Sequence, residues 1–191
     1  MRIELPAKSL EGFAVPPLLL ASGDGTELAL QDDASLPPLL NRLRTALQEI
    51  HHRMVLAERL TSHPLTWWQQ LTGVNTEARI RACYPNAPPI GICRTLGVDE
   101  TQKWLRLQWT DRVLIEVEAA SYAADLVVVT DHGLDPSGHD RLRVHVESML
   151  RRRPTVSALV LRTSTGFGLG PWWAESTTPR LHYAGCVQKH P

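Results

Sequence analysis

Several groups of residues have types and spacings that could do chemistry. Asp131-His132-Gly133 follows the apolar run Val127-Val128-Val129, and a neighbouring aspartate and histidine can work as a general acid–base pair. If the runs at 125–130 and 155–161 are parallel strands, Asp131 and His132 stand beside Thr163, Ser164 and Thr165, because ligands bind beyond the carboxyl ends of such strands. No glycine-rich phosphate loop opens the helix that follows, so Asp131 and Gly133 read first as turn residues. His132, His139 and His145, interleaved with Asp131, Asp135 and Asp140, are metal-ligand types. Their spacings match no metal motif, and no metal is expected. Arg151-Arg152-Arg153, with Arg141 and Arg143 upstream, could hold phosphates. They also fall in the last turn of a helix, where cations meet the negative end of its dipole. Gly166, Gly168 and Gly170 permit a tight turn. In the pairs Trp67-Trp68 and Trp172-Trp173 one ring of each must often face outward, as at a pocket or an interface.

The elements that position these residues follow from periodicity. Leu36, Leu40, Leu43, Leu47, Ile50, Met54 and Ala57 keep a 4-3 spacing, with Ser35 as N-cap and Pro37 and Pro38 in the first turn. The spacing predicts one long amphipathic helix, its apolar stripe over 36–57 and its end near Leu60. Residues 27–30, 77–84, 103–109, 112–119 and 125–130 read as strands, the 103–119 segment as a hairpin turning at Thr110-Asp111. A second helix is expected near 139–153, stopped by Pro154, then strands at 155–161 and near 180–187. Strand, loop, helix and strand over 125–161 make either a parallel βαβ unit or part of an antiparallel sheet.

Composition narrows the classes. A length of 191 residues suits one α+β domain over 1–191, and 43% hydrophobic residues suffice for a core. Twenty basic and twenty acidic residues cancel, which gives no pull toward nucleic acid and mildly favours self-association. Cys83, Cys93 and Cys186 form no CxxC pair and read as reduced thiols. No apolar run is long enough to span a bilayer, and the acidic start argues against a signal peptide, so the expected location is cytoplasmic.

The middle of the chain resembles the chorismate pyruvate-lyase family. The likeness rests on His63-Pro64-Leu65-Thr66-Trp67-Trp68, the segment 77–84, Leu96-Gly97-Val98 and Trp104-Leu105-Arg106, and it covers roughly residues 60–120. It implies a mostly antiparallel sheet flanked by helices, enclosing an aromatic or enolpyruvyl carboxylate. It also implies a cofactor-free carbon–oxygen lyase that converts chorismate to 4-hydroxybenzoate and pyruvate. On that resemblance Arg106 anchors a carboxylate, Glu175 is the acid, and Trp104 and Trp172 line the ligand site. The alternative expectation is a non-enzymatic assembly or adaptor subunit that uses the heptad helix 36–57 and exposed tryptophans.

Overall fold

The structure, a computed structural model, describes residues 2–10, 13–30, 33–49, 52–58, 60, 64–163 and 181–189. The strands in chain order are β1 (Arg2–Leu5), β2 (Lys8–Leu10), β3 (Phe13–Val15), β4 (Leu18–Ala21), β5 (Gly25–Leu30), β6 (Met54–Leu56), β7 (Leu126–Thr130), β8 (Ser157–Thr163) and β9 (Leu181–Lys189). The helices are α1 (Leu36–Glu49), α2 (Trp67–Thr72), α3 (Thr76–Cys83), α4 (Pro89–Leu96), α5 (Trp109–Ala120) and α6 (Pro136–Arg152).

The main sheet runs β2-β3-β9-β5-β8-β7-β6. From β9 to β6 every neighbouring pair is parallel. Only β2 and β3 join antiparallel, at the β9 edge, while β1 and β4 form a small antiparallel sheet of their own. The expectation of a mostly antiparallel α+β sheet is therefore wrong: this is an α/β architecture. The β7–α6–β8 segment is a parallel βαβ unit, which decides the alternative left open for 125–161.

Alternation along the strands divides the core into two. Leu28 and Leu30 of β5, Leu126 and Val128 of β7, and Leu159 and Leu161 of β8 pack with Leu39, Leu43 and Leu47 of α1 and with Leu5, Leu18 and Leu20. Val127, Val129, Ala158 and Val160 face the other way, onto Leu142 and Val146 of α6 and, through them, the α3–α5 layer. Of the heptad stripe, Leu43 and Leu47 are buried in the first cluster, Leu36, Leu40 and Met54 pack against it, Ala57 lies in the second, and Ile50 is outside the described residues. The described stripe therefore does not form the free face that the expected assembly role of the 36–57 helix needed.

Three expected elements differ. The helix ends at Glu49, and Met54–Leu56 becomes the edge strand β6, because its backbone completes the ladder beside β7. A local periodicity of 3.6 loses to tertiary pairing there. Residues 77–84, expected as a strand, lie mostly in α3, whose N-cap Asn75 accepts from the Ala78 N–H at 2.8 Å. The expected hairpin is a short 3-10 turn, Trp104–Arg106, followed by α5. Every residue from Val113 to Ala120 is buried, so α5 has no polar stripe to reveal a helical period. Burial includes Glu116, which accepts from the Tyr84 hydroxyl at 2.5 Å and from the Leu60 N–H. Arg79 donates to the Leu60 carbonyl beside it.

Among the described residues, no helix is long and apolar enough to cross a membrane.

Candidate functional site

A parallel sheet gathers its polar loops at the carboxyl ends of its strands, and ligands of such sheets bind there. On the α6 side of that edge lies a buried ion cluster. Glu27 of β5 and Asp131, just past β7, are 1% and 4% exposed. Arg162 sits on β8, the strand between them. Its Nη1 donates to Glu27 Oε1 at 2.9 Å, and its Nε lies 3.7 Å from Asp131 Oδ2. His139 and Arg143, one turn apart on α6, close the cluster from above. His139 Nε2 is 2.6 Å from Asp131 Oδ2, and Arg143 Nε is 3.7 Å from Glu27 Oε2. The Asp131 N–H donates to the Leu161 carbonyl at 3.0 Å, fixing the carboxylate at the strand end. Sequence reasoning singled out Asp131 and paired it with His132. The structure pairs it with His139 instead and leaves His132 exposed, its carbonyl accepting from Trp109 Nε1 at 3.1 Å. Glu27 and Arg162 were missed, because a charge inside an apolar strand run shows no partner in sequence.

Two helix N-termini point at this edge, and an N-terminus is where an anion binds, through free N–H groups and the helix dipole. At the β5–α1 junction the connecting residues 31–35 read Gln-Asp-Asp-Ala-Ser, with neither glycine nor lysine and with two carboxylates. The first turn of α1 then carries Pro37 and Pro38, so two of its leading residues have no N–H to offer. At the β7–α6 junction Gly133 and Gly138 have the G-x-x-x-x-G spacing of a phosphate loop. His139-Asp140 follows where that loop needs Lys and Ser or Thr. Asp135 caps α6 itself: its carboxylate accepts from the Gly138 N–H at 2.6 Å and from the Ser137 hydroxyl at 3.0 Å. Those two bonds hold the Asp135 carboxyl below its usual range. Both glycines have packing reasons. Gly133 has φ +76°, with Trp109 Nε1 3.2 Å from where a Cβ would sit, and a Cβ on Gly138 would lie 2.8 Å from Thr110 Oγ1. Neither junction carries the G-x-x-x-x-G-K-[ST] sequence of a phosphate loop, nor does any other stretch of the sequence.

A second polar group lies toward the far end of α6. Burial pushes the Glu118 carboxyl up, but the hydrogen bond and charge of His145, with the charges of Arg152 and Arg153, outweigh it and hold the group below its usual value. Arg152 Nη2 donates to Glu118 Oε2 at 2.8 Å, and Arg153 stacks on Tyr122. The arginine run thus does ion pairing and stacking within the fold. An open groove of about 420 Å³ between α4, α5 and α6 is floored by Leu114 and Val144. Burial, reinforced by Glu100, Glu77 and Asp99, raises the Cys93 thiol to about 11, which makes it an inert core residue.

Among the residues expected to hold a ligand, Trp104 is buried in the helical layer, where its N–H donates to the Val74 carbonyl at 2.9 Å. Arg106 is exposed at the end of the 3-10 turn. Trp172, Glu175 and the glycine run at 166–170 lie outside the described residues, as does Trp68's side chain.

No family model matches the sequence, and no curated protein is similar to it in sequence. Solved structures are similar to it in fold. An ATP-binding cassette of an ABC transporter in its ADP conformation superposes with a TM-score of 0.60 at 14% identity, covering 87% of this chain and 83% of that one. The structure of cbiO1 from Clostridium perfringens, described as part of the ABC transporter complex cbiONQ, gives 0.58 at 8% identity over 85% and 78%. A dimeric cassette in a post-hydrolysis state, bound to ADP and Pi, gives 0.53 at 9% identity over 100% and 95%. These likenesses overturn the chorismate pyruvate-lyase resemblance and with it the lyase, chorismate-binding and antiparallel-sheet expectations. The short motifs that carried that resemblance fall on α2, α3, α4 and the 3-10 turn, not on the strands it required. The chain has the fold of an ATP-binding cassette.

Proposed function

We propose that this chain is a cassette-fold subunit of a nucleotide-driven protein assembly, one that contributes a folded surface to a nucleotide-binding cassette chain and holds no nucleotide itself. The observation that carries this reading is the chemistry of the two junctions. A triphosphate needs free N–H groups and a lysine. The β5–α1 junction offers carboxylates and prolines, and the β7–α6 junction is capped by Asp135. Support for a protein partner comes from the cassette structures of like fold, one solved as a dimer and one part of a transporter complex. The 191 residues would act as a single domain in this role.

A nucleotide-binding role for this chain itself is the second reading, and the likeness to an ADP-bound cassette favours it. Titration with MgATP and MgADP separates the two. Absence of saturable binding supports the first reading, and micromolar binding overturns it in favour of the second. Sedimentation over a concentration series then tells whether the chain pairs with itself. A monomer throughout points to a different chain as the partner.

A further inference from the structure

We propose that Arg162 is a built-in cation which occupies, between Glu27 and Asp131, the electrostatic place a divalent metal ion takes in phosphate-handling enzymes. The inference deepens the reading above and rests on it.

Two carboxylates are almost wholly buried on one face of the sheet, Glu27 on β5 and Asp131 at the end of β7. Buried carboxylates need neutralising partners, because transfer from water without one is costly. In phosphoryl-transfer enzymes of the strand–loop–helix kind, a strand-end aspartate meets that need by holding Mg²⁺. Here the strand order does it. β8 lies between β5 and β7, and its residue Arg162, 8% exposed, sends Nη1 to Glu27 at 2.9 Å and turns Nε toward Asp131 at 3.7 Å. His139 covers Asp131 from α6 at 2.6 Å, and Arg143 approaches Glu27 from the same helix. A divalent ion entering beside Asp131 would meet the Arg162 guanidinium first. Helix α6 is therefore fastened by the chain's own charges to the middle of β5, through Glu27, and to the carboxyl ends of β7 and β8.

The test is thermal unfolding of the full chain with and without millimolar Mn²⁺, in the absence of any nucleotide, so that its failure is separate from a failure of the nucleotide titration. The wild-type midpoint should not move with Mn²⁺. Arg162→Met should unfold roughly 10 °C lower and recover several degrees in Mn²⁺, as the two carboxylates that have lost their shared cation accept the ion. The double variant Glu27→Gln/Arg162→Met should lose most of that response. Should Arg162→Met not fold, Arg162→Lys supplies the check: it keeps the charge and should stay insensitive to Mn²⁺. A wild-type midpoint raised by Mn²⁺, a folded Arg162→Met protein indifferent to it, or an Arg162→Lys protein stabilised by it would overturn the proposal.

Discussion

On the same three strands, β5, β7 and β8, alternate residues serve two unlike faces. Toward α1 the sheet presents Leu28, Leu30, Leu126, Val128, Leu159 and Leu161, and α1 answers with Leu39, Leu43 and Leu47. Toward α6 it presents Val127, Val129, Ala158 and Val160, and with them Glu27 in the middle of β5 and Asp131 and Arg162 at the carboxyl ends of β7 and β8, against His139 and Arg143. The first face holds by shape and area alone, which tolerates volume-conserving change and has no preferred charge state. The second adds to its apolar packing a set of matched charges, which contribute little net stability but are costly to unmatch.

Mutations should break the two faces differently. The largest effect is expected on the ionic face. Arg162→Met leaves two buried carboxylates without their shared cation and should cost about 3–5 kcal/mol in denaturant unfolding. The double variant Glu27→Gln/Arg162→Met should regain a large part of that loss, because the charges leave together. A double variant no more stable than the single would show that shape, not charge, fixes this face. On the apolar face Leu43→Ala should cost about 2–5 kcal/mol from lost burial and the cavity left behind. No second-site charge change should restore it, and its cost should be the same at low and high salt. A marked salt dependence of the Leu43→Ala penalty would erase the contrast between the faces.

Protonation sharpens the comparison at the far end of α6. The folded Glu118 carboxyl lies below its usual 4.5, so its contribution is present above that value and is lost as pH falls through the folded-state value. Glu118→Gln should therefore flatten the fall in thermal stability below about pH 4.5 while changing little in shape above it. A variant whose acid limb matches the wild type would remove Glu118 from the acid response. The smallest effect is expected at the β7–α6 turn. Gly133→Ala forces a side chain into φ +76° against Trp109 and should cost about 1–2 kcal/mol, without altering the ionic face.

Much of the α/β core was legible in the sequence. The apolar run before Asp131, the helix stopped by Pro154 and the strand after it form β7, α6 and β8, because a fully buried parallel strand reads as an unbroken apolar run. The layer from Thr76 to Ala120 was not legible. In α5 the residues Val113, Leu114, Ile115, Glu116 and Val117 are buried on all sides, so the sequence shows a β-branched alternation instead of a helical stripe. Met54 and Leu56 continue a heptad by type but leave it in space, since strand pairing beside β7 is a long-range event. Of the site, Asp131 was visible as an acid after a strand. His139 was visible beside it only as a metal-ligand type, and the pairing of the two was not, because the turn at Gly133 brings the first helical turn of α6 back over the strand end.

The central claim is the proposal that this chain holds no nucleotide itself, and calorimetric titration of the wild-type chain with MgATP tests it most directly. The account predicts no saturable heat up to millimolar nucleotide and no nucleotide-dependent rise in unfolding temperature. Saturable micromolar binding would contradict it.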